Sequence, residues 1–113
     1  MSMSERRHIG PSGFETQVRH EGSSLDVALA GELDMASTFK LEAELERLWG
    51  EHEVHRLVLD LGDLTFVDSA GLGALIAIRE QTQDRGIEMT VTNPSHPVRR
   101  VIELSGTGDV LLD

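Results

Sequence analysis

Residues 66–75, FVDSAGLGAL, switch from one kind of order to another within two positions. The apolar run that ends at Val67 is broken by Asp68–Ser69, and Leu72, Leu75, Ile76 and Ile78 then recur at helical spacing. The reading is a strand that runs straight into a helix. That helix is expected from about Ser69 to Arg85, with Gly86 where a C-terminal cap belongs. Asp and Ser are both favoured N-caps, because their side-chain oxygens accept from first-turn amides that have no helical partner. Gly71 and Gly73 fall in the first turns, where each costs up to ~1 kcal/mol against Ala. Glycine there implies close approach to the backbone, by a packed strand or by another molecule.

Ser69 therefore has two readings. It can cap the helix and do nothing more. Alternatively, the carboxyl end of a strand feeding a helix N-terminus is the usual ligand edge of an open α/β sheet. Free amides and the positive end of the helix dipole tolerate a phosphate of about −1.5 to −2 charges there. The residues permit both.

Outward from this stretch the chain alternates. Upstream, RLVLDL (56–61) is a nearly continuous apolar run, expected as a strand covered on both faces, with Asp60 and Asp63 flanking a turn before LTFVD. Before it, Leu41, Leu45, Leu48 and Trp49 recur at helical spacing, Gly50 is a plausible stop, and Trp49 at that spacing reads as core. Phe14, Thr16 and Val18, then Leu25, Val27 and Leu29, alternate on either side of EGSS, an antiparallel hairpin. Downstream, Ile87, Met89 and Val91 mark a strand, NPSHP breaks the chain, and Val98, Val101 and Ile102 mark a short helix ending near Gly106. VLLD at the end reads as a possible last strand. The order ββαβαβα implies an α/β (α+β) domain with a mixed β-sheet of four to five strands, an N-terminal hairpin and flanking helices. Residues 1–13 have no periodicity and read as a flexible N-terminal arm before a domain spanning 14–113.

Composition excludes several functions. At 113 residues the chain is one domain's worth. It contains no Cys, which removes disulfides, thiolate metal sites and Cys catalysis. Ten Lys+Arg against twenty Asp+Glu leave a formal charge of −10, which repels phosphate backbones and disfavours nucleic acid as a partner. No apolar run reaches the roughly 20 residues of a membrane helix, and MSMSERRHIG lacks the apolar core of a signal peptide, so the cytoplasm is the expected location.

LVLDLGDLTFVDSAGLGALIAI (57–78) resembles the central segment of STAS-domain anti-sigma factor antagonists, in which a phosphorylated serine follows Asp in a D-S-x-G-L-G setting. LAGELDMAST is similar to the family's G-E-L-D segment, and VRRVIELSG to its last helix. The resemblance covers about Phe14–Asp113. It implies the STAS fold and partner switching: the unphosphorylated antagonist binds an anti-sigma factor of the serine kinase type and so releases a sigma factor. Phosphorylation by that kinase ends the complex, and a serine phosphatase restores it. The resemblance assigns phosphorylation to Ser69 and partner binding to Asp34, Asp68, Ser69, Gly71 and Leu72. Thr107–Gly108 departs from the family, which usually carries an apolar residue there, and places the packing of the last turn in question.

The remaining candidates are weaker. Asp34 can equally be a helix cap. An Asp34–Asp68 pair could bind Mg²⁺, but no phosphate-gripping Lys motif accompanies it. The five His residues lack a two-ligand helical spacing with a nearby third ligand, so no metal is expected. Catalysis by Ser69 would need a base and an oxyanion site, and DSAGLG is not a G-x-S-x-G elbow. The chain reads as a substrate of modification with no cofactor, not as an enzyme. The alternatives to an antagonist are a STAS module binding a transporter ATPase and a nucleotide-binding regulatory module.

Overall fold

The structure, a computed structural model, describes residues 13–112. The expected N-terminal arm lies, but for Gly13, outside the described residues. Strands β1 (Phe14–Glu21) and β2 (Ser24–Leu33) form the hairpin, with register from Phe14↔Gly31 to Glu21↔Ser24. Helix α1 (Met35–Glu51), β3 (Arg56–Val67), α2 (Ser69–Asp84), β4 (Glu88–Thr92), α3 (His96–Leu104) and α4 (Gly108–Leu111) follow. The sheet is four-stranded in the order β1-β2-β3-β4, antiparallel at the hairpin and parallel at β2–β3 and β3–β4.

The sheet turns one face to the core. Leu25, Val27, Leu29 and Leu33 of β2 and Leu57, Leu59, Leu61, Leu64 and Val67 of β3 are buried there. They share one cluster with Leu41, Leu45 and Leu48 of α1, Leu72, Leu75 and Ile78 of α2, and Val98 and Ile102 of α3. Trp49 is half-buried, packs against this cluster and carries the Arg85 guanidinium 5.6 Å over its ring. Because strand side chains alternate sides, the residues between those leucines face away.

Three expectations change. The run 56–61 is not covered on both faces: Arg19, Asp26, Ala28, Val58 and Asp60 help line an open groove of ≈ 440 Å³ on the other side. Val58 made the run look continuous, although Leu57, Leu59 and Leu61 are the buried set. Asp60 and Asp63 do not flank a turn, because β3 continues through them. Its register against β2 jumps from Ala28↔Asp60 to Ala30↔Asp63, a β-bulge in which Gly62 N donates to Asp60 Oδ1 at 2.9 Å. Finally, VLLD makes no fifth strand among the described residues. Gly108–Leu111 is a short helix that buries Leu111, and Thr107 at its head places Oγ1 3.3 Å from the Ile102 carbonyl. The Thr107–Gly108 departure thus leaves the last turn packed.

The one-sided core separates two neighbours in β3. Leu59→Ala is expected to cost ~2–5 kcal/mol, and Val58→Thr about 1 kcal/mol or less, by urea denaturation. Equal losses would contradict a sheet with one open face.

Candidate functional site

The parallel neighbours β2 and β3 end side by side, at Leu33↔Val67, and each feeds directly into a helix. Asp34 is the N-cap of α1 and Asp68 the N-cap of α2. The Asp68 amide donates to the Leu33 carbonyl at 3.2 Å, which ties the second helix start to the end of the neighbouring strand. Gly71 completes this joint. A Cβ on it would overlap the Leu33 carbonyl oxygen and come within 2.8 Å of Val67 Cγ2. The close approach implied by Gly71 is therefore to the protein's own strand. Gly73 is different: it is exposed, and a Cβ there would meet nothing within 4 Å.

Ser69 is not the cap. Asp68 Oδ1 takes the Gly71 amide at 2.8 Å, and Ser69 is the first residue of the helix proper. It is exposed, and its hydroxyl makes no hydrogen bond among the described residues. The amides of Ser69 and Ala70 precede any helical carbonyl that could receive them, so Ser69 stands at the positive end of the α2 dipole. With capping assigned to its neighbour, Ser69 needs another explanation.

Asp34 makes a capping box. Its Oδ1 accepts the Ser37 amide at 3.0 Å, and its own amide donates to Ser37 Oγ at 2.8 Å. The Ser37 hydroxyl lies 2.8 Å from both the Glu32 carbonyl and Asp34 Oδ1, to one of which its single proton goes. The Ser37 amide, followed by the Ser37 hydroxyl, holds the Asp34 carboxyl below the ordinary value of 3.8. Ser37 is the residue that sequence reasoning missed. D-M-A-S carries the three-residue spacing of a capping box, with Ser in place of the usual Glu or Gln.

Around this joint lie large apolar side chains that face solvent. Met35 and Phe39, one turn apart on α1, are 65% and 67% exposed, and Phe66 at the end of β3 is 47% exposed. Sequence periodicity could have flagged Met35 and Phe39, which fall off the Leu41–Leu45–Leu48 stripe. Leu72 and Gly71, assigned to the partner contact by resemblance, are instead buried. They shape the edge from beneath. Glu32 and Asp63 are exposed nearby, so the edge combines apolar rings, a free hydroxyl and carboxylates. Among the described residues there is no group of three or more His, Asp or Glu arranged to hold a metal. The His20 and His52 rings lie 4.0 Å apart between centroids, tilted by 40°, at the other end of the sheet, where the hairpin turns.

The STAS domain model matches residues 15–112. The anti-sigma F factor antagonist of Paenibacillus polymyxa is 29% identical over 93 residues, covering 82% of this chain and 80% of its own. The structure of the anti-sigma factor antagonist SpoIIAA in its unphosphorylated form superposes with a TM-score of 0.73 at 24% identity, over 87% of this chain and 86% of that one. The Bacillus cell fate determinant SpoIIAA in the phosphorylated form gives a TM-score of 0.67 at 23% identity, over 87% and 89%. This chain belongs to the STAS-domain family of anti-sigma factor antagonists.

The two glycines should answer oppositely to the same substitution. Gly71→Ala is expected to destabilise, because Leu33 or the start of α2 must move, whereas Gly73→Ala should stabilise by up to ~1 kcal/mol. Thermal melts of both variants check this. Asp34 should show itself in acid. Its lowered carboxyl contributes stability above the unfolded value of 3.8 and loses it as pH falls through the folded value. Asp34→Asn, a comparable cap, should therefore match the parent near neutrality and lose less stability on acidification. Parallel acid limbs in a pH series of melts would show that the carboxylate charge is irrelevant.

Proposed function

We propose that this STAS domain sequesters an anti-sigma factor of the serine kinase type through the edge where β2 and β3 end, and that phosphorylation of Ser69 switches the contact off. The observation that carries the reading is the exposed hydroxyl of Ser69, without a hydrogen bond among the described residues and relieved of capping by Asp68, in a molecule that also exposes Met35 at the start of α1 and Phe66 near the end of β3. A neutral hydroxyl can be desolvated in an apolar contact, but a dianion cannot without a partner charge. In the modifying step the kinase transfers the γ-phosphoryl of ATP to Ser69 Oγ, the hydroxyl proton leaves, and ADP is released. The first-turn amides of α2 accommodate the new charge, so the fold survives while the interface fails.

Support comes also from the relatives: an antagonist of the same fold is known in unphosphorylated and phosphorylated forms. Asp68 and Gly71 set the position of Ser69, and Asp34 fixes the neighbouring helix start with its apolar side chains. A serine phosphatase would regenerate the binding form. In this reading the protein acts in the cytoplasm, and no helix among the described residues is long and apolar enough to cross a membrane.

Ser69→Ala should bind the kinase-type anti-sigma factor as tightly as the parent and take up no phosphate. Ser69→Glu places a desolvated carboxylate in the contact, and at ~1.4 kcal/mol per decade a cost of several kcal/mol weakens binding at least ~100-fold. Titration calorimetry beside thermal melts reads binding and folding separately. Equal affinity of the two variants would defeat the switch.

A further inference from the structure

The sheet has two edge strands, and β1 is the longer. Among the described residues β1 pairs with β2 alone, over 8 residues, while β4 at the far edge has 5. The hairpin decides which backbone groups of β1 are left over. Its loop is Gly22–Ser23, with φ +60° at Gly22 and no positive φ at Ser23, the pattern of a type II′ turn. Such a turn closes on a hydrogen-bonded pair, here Glu21↔Ser24. Bonded and non-bonded pairs alternate along an antiparallel ladder, so Arg19↔Asp26, Gln17↔Ala28 and Glu15↔Ala30 are bonded as well. Thr16, Val18 and His20 fall between them and turn their amides and carbonyls to the free side.

An edge of this kind is a template for another strand, and the sequence of β1 fits a second copy of itself. A two-fold axis brings β1 against β1 antiparallel, and bonded pairs then form only between residues whose groups point outward. Two registers overlap nearly the whole strand. With Val18 on the axis, Glu15 faces Glu21 of the second copy, twice, which sets like charges directly opposite. With Gln17 on the axis, Thr16 bonds with Val18 of the second copy and Glu15 faces Arg19 of the second copy, again twice by symmetry. Those Glu–Arg positions are non-bonded pairs, where strands come closest, ~4.5 Å between Cα atoms. Opposite charges and long overlap coincide in one register. The helix side of the edge has room for it: Phe14, Thr16 and Ala43 help line a groove of ≈ 450 Å³ between β1 and α1. In the Gln17 register, Val18 and His20 of the second copy stand beside Thr16 and Phe14 on that side.

We propose that two copies of this chain pair antiparallel through β1, about an axis at Gln17, and join their four-stranded sheets into one. The pairing lies one strand away from β3, so it leaves the joint between the ends of β2 and β3 uncovered. Symmetry sends the two Ser69 edges to opposite ends of the joined sheet, and the dimer presents both. The proposal is independent of phosphorylation. A charge of −10 on each copy opposes association at low ionic strength, and salt screens it.

Sedimentation equilibrium of the full chain in about 0.15 M salt should show a reversible monomer–dimer equilibrium. Val18→Pro removes an outward amide but no bond to β2, and proline is tolerated on an edge strand. It should weaken the dimer at least ~10-fold, with thermal melts reporting the fold separately. Arg19→Glu should weaken the dimer through like charge, and adding Glu15→Arg should restore it, a rescue that a folding defect does not give. This pair decides the matter if Val18→Pro unfolds. A chain that stays monomeric up to about 1 mM overturns the proposal. So does a dimer indifferent to a folded Val18→Pro, or a charge swap that leaves the dimer as weak as Arg19→Glu alone.

Discussion

The joint between the ends of β2 and β3 governs the rest of the molecule's working edge. The Leu33 carbonyl receives the Asp68 amide, and the missing Cβ of Gly71 lets α2 begin flush against that same carbonyl. Two helices consequently start from adjacent parallel strands, each capped by an aspartate. Were α2 displaced outward, Leu72 and Leu75 would leave the core, and the direction of Ser69 would no longer be set. A backbone contact of this kind holds better than a side-chain pair, because it has no rotamer freedom to lose.

Division of labour between Asp68 and Ser69 follows from that joint. One turns inward to satisfy a helix amide, and the other is left exposed with no hydrogen bond among the described residues. The same economy holds on α1, where Asp34 and Ser37 satisfy one another and leave Met35 and Phe39 to face solvent. Exposed aromatic and thioether side chains beside a free hydroxyl make a surface that desolvates readily while neutral. The opposite face of the sheet has a different character. Its groove is lined by Arg19, Asp26 and Asp60 as well as Ala28 and Val58, so charged side chains border it.

Local periodicity carried far along this chain. The alternation in the hairpin, the leucine stripe of α1 and the switch of pattern at Asp68–Ser69 each depend on neighbours within a turn or a strand, and each is realised in the fold. Readings that required long-range knowledge fared less well. Val58 looks like a core residue beside Leu57 and Leu59, since only the packing of helices on one face distinguishes them. Asp60–Asp63 has turn composition, yet pairing with β2 draws it into a bulged strand. The final VLLD has strand-forming residues but finds no strand edge, and its leucine is buried from a helical turn instead.

Ser69 and its surroundings show where the boundary falls. The sequence by itself determined that a strand meets a helix at residues 68–69, that a cap is present, and that the motif resembles one family's modified serine. It could not say which of the two side chains caps, because Asp and Ser both supply an oxygen at the right distance from a first-turn amide. Nor could it say whether Gly71 and Gly73 serve one purpose or two. Tertiary structure decided both. The Leu33 carbonyl and the Val67 side chain, far away in sequence or on another element, press on Gly71 and leave Gly73 open. That pressure fixes the start of α2, and with it which oxygen points into the fold and which points out.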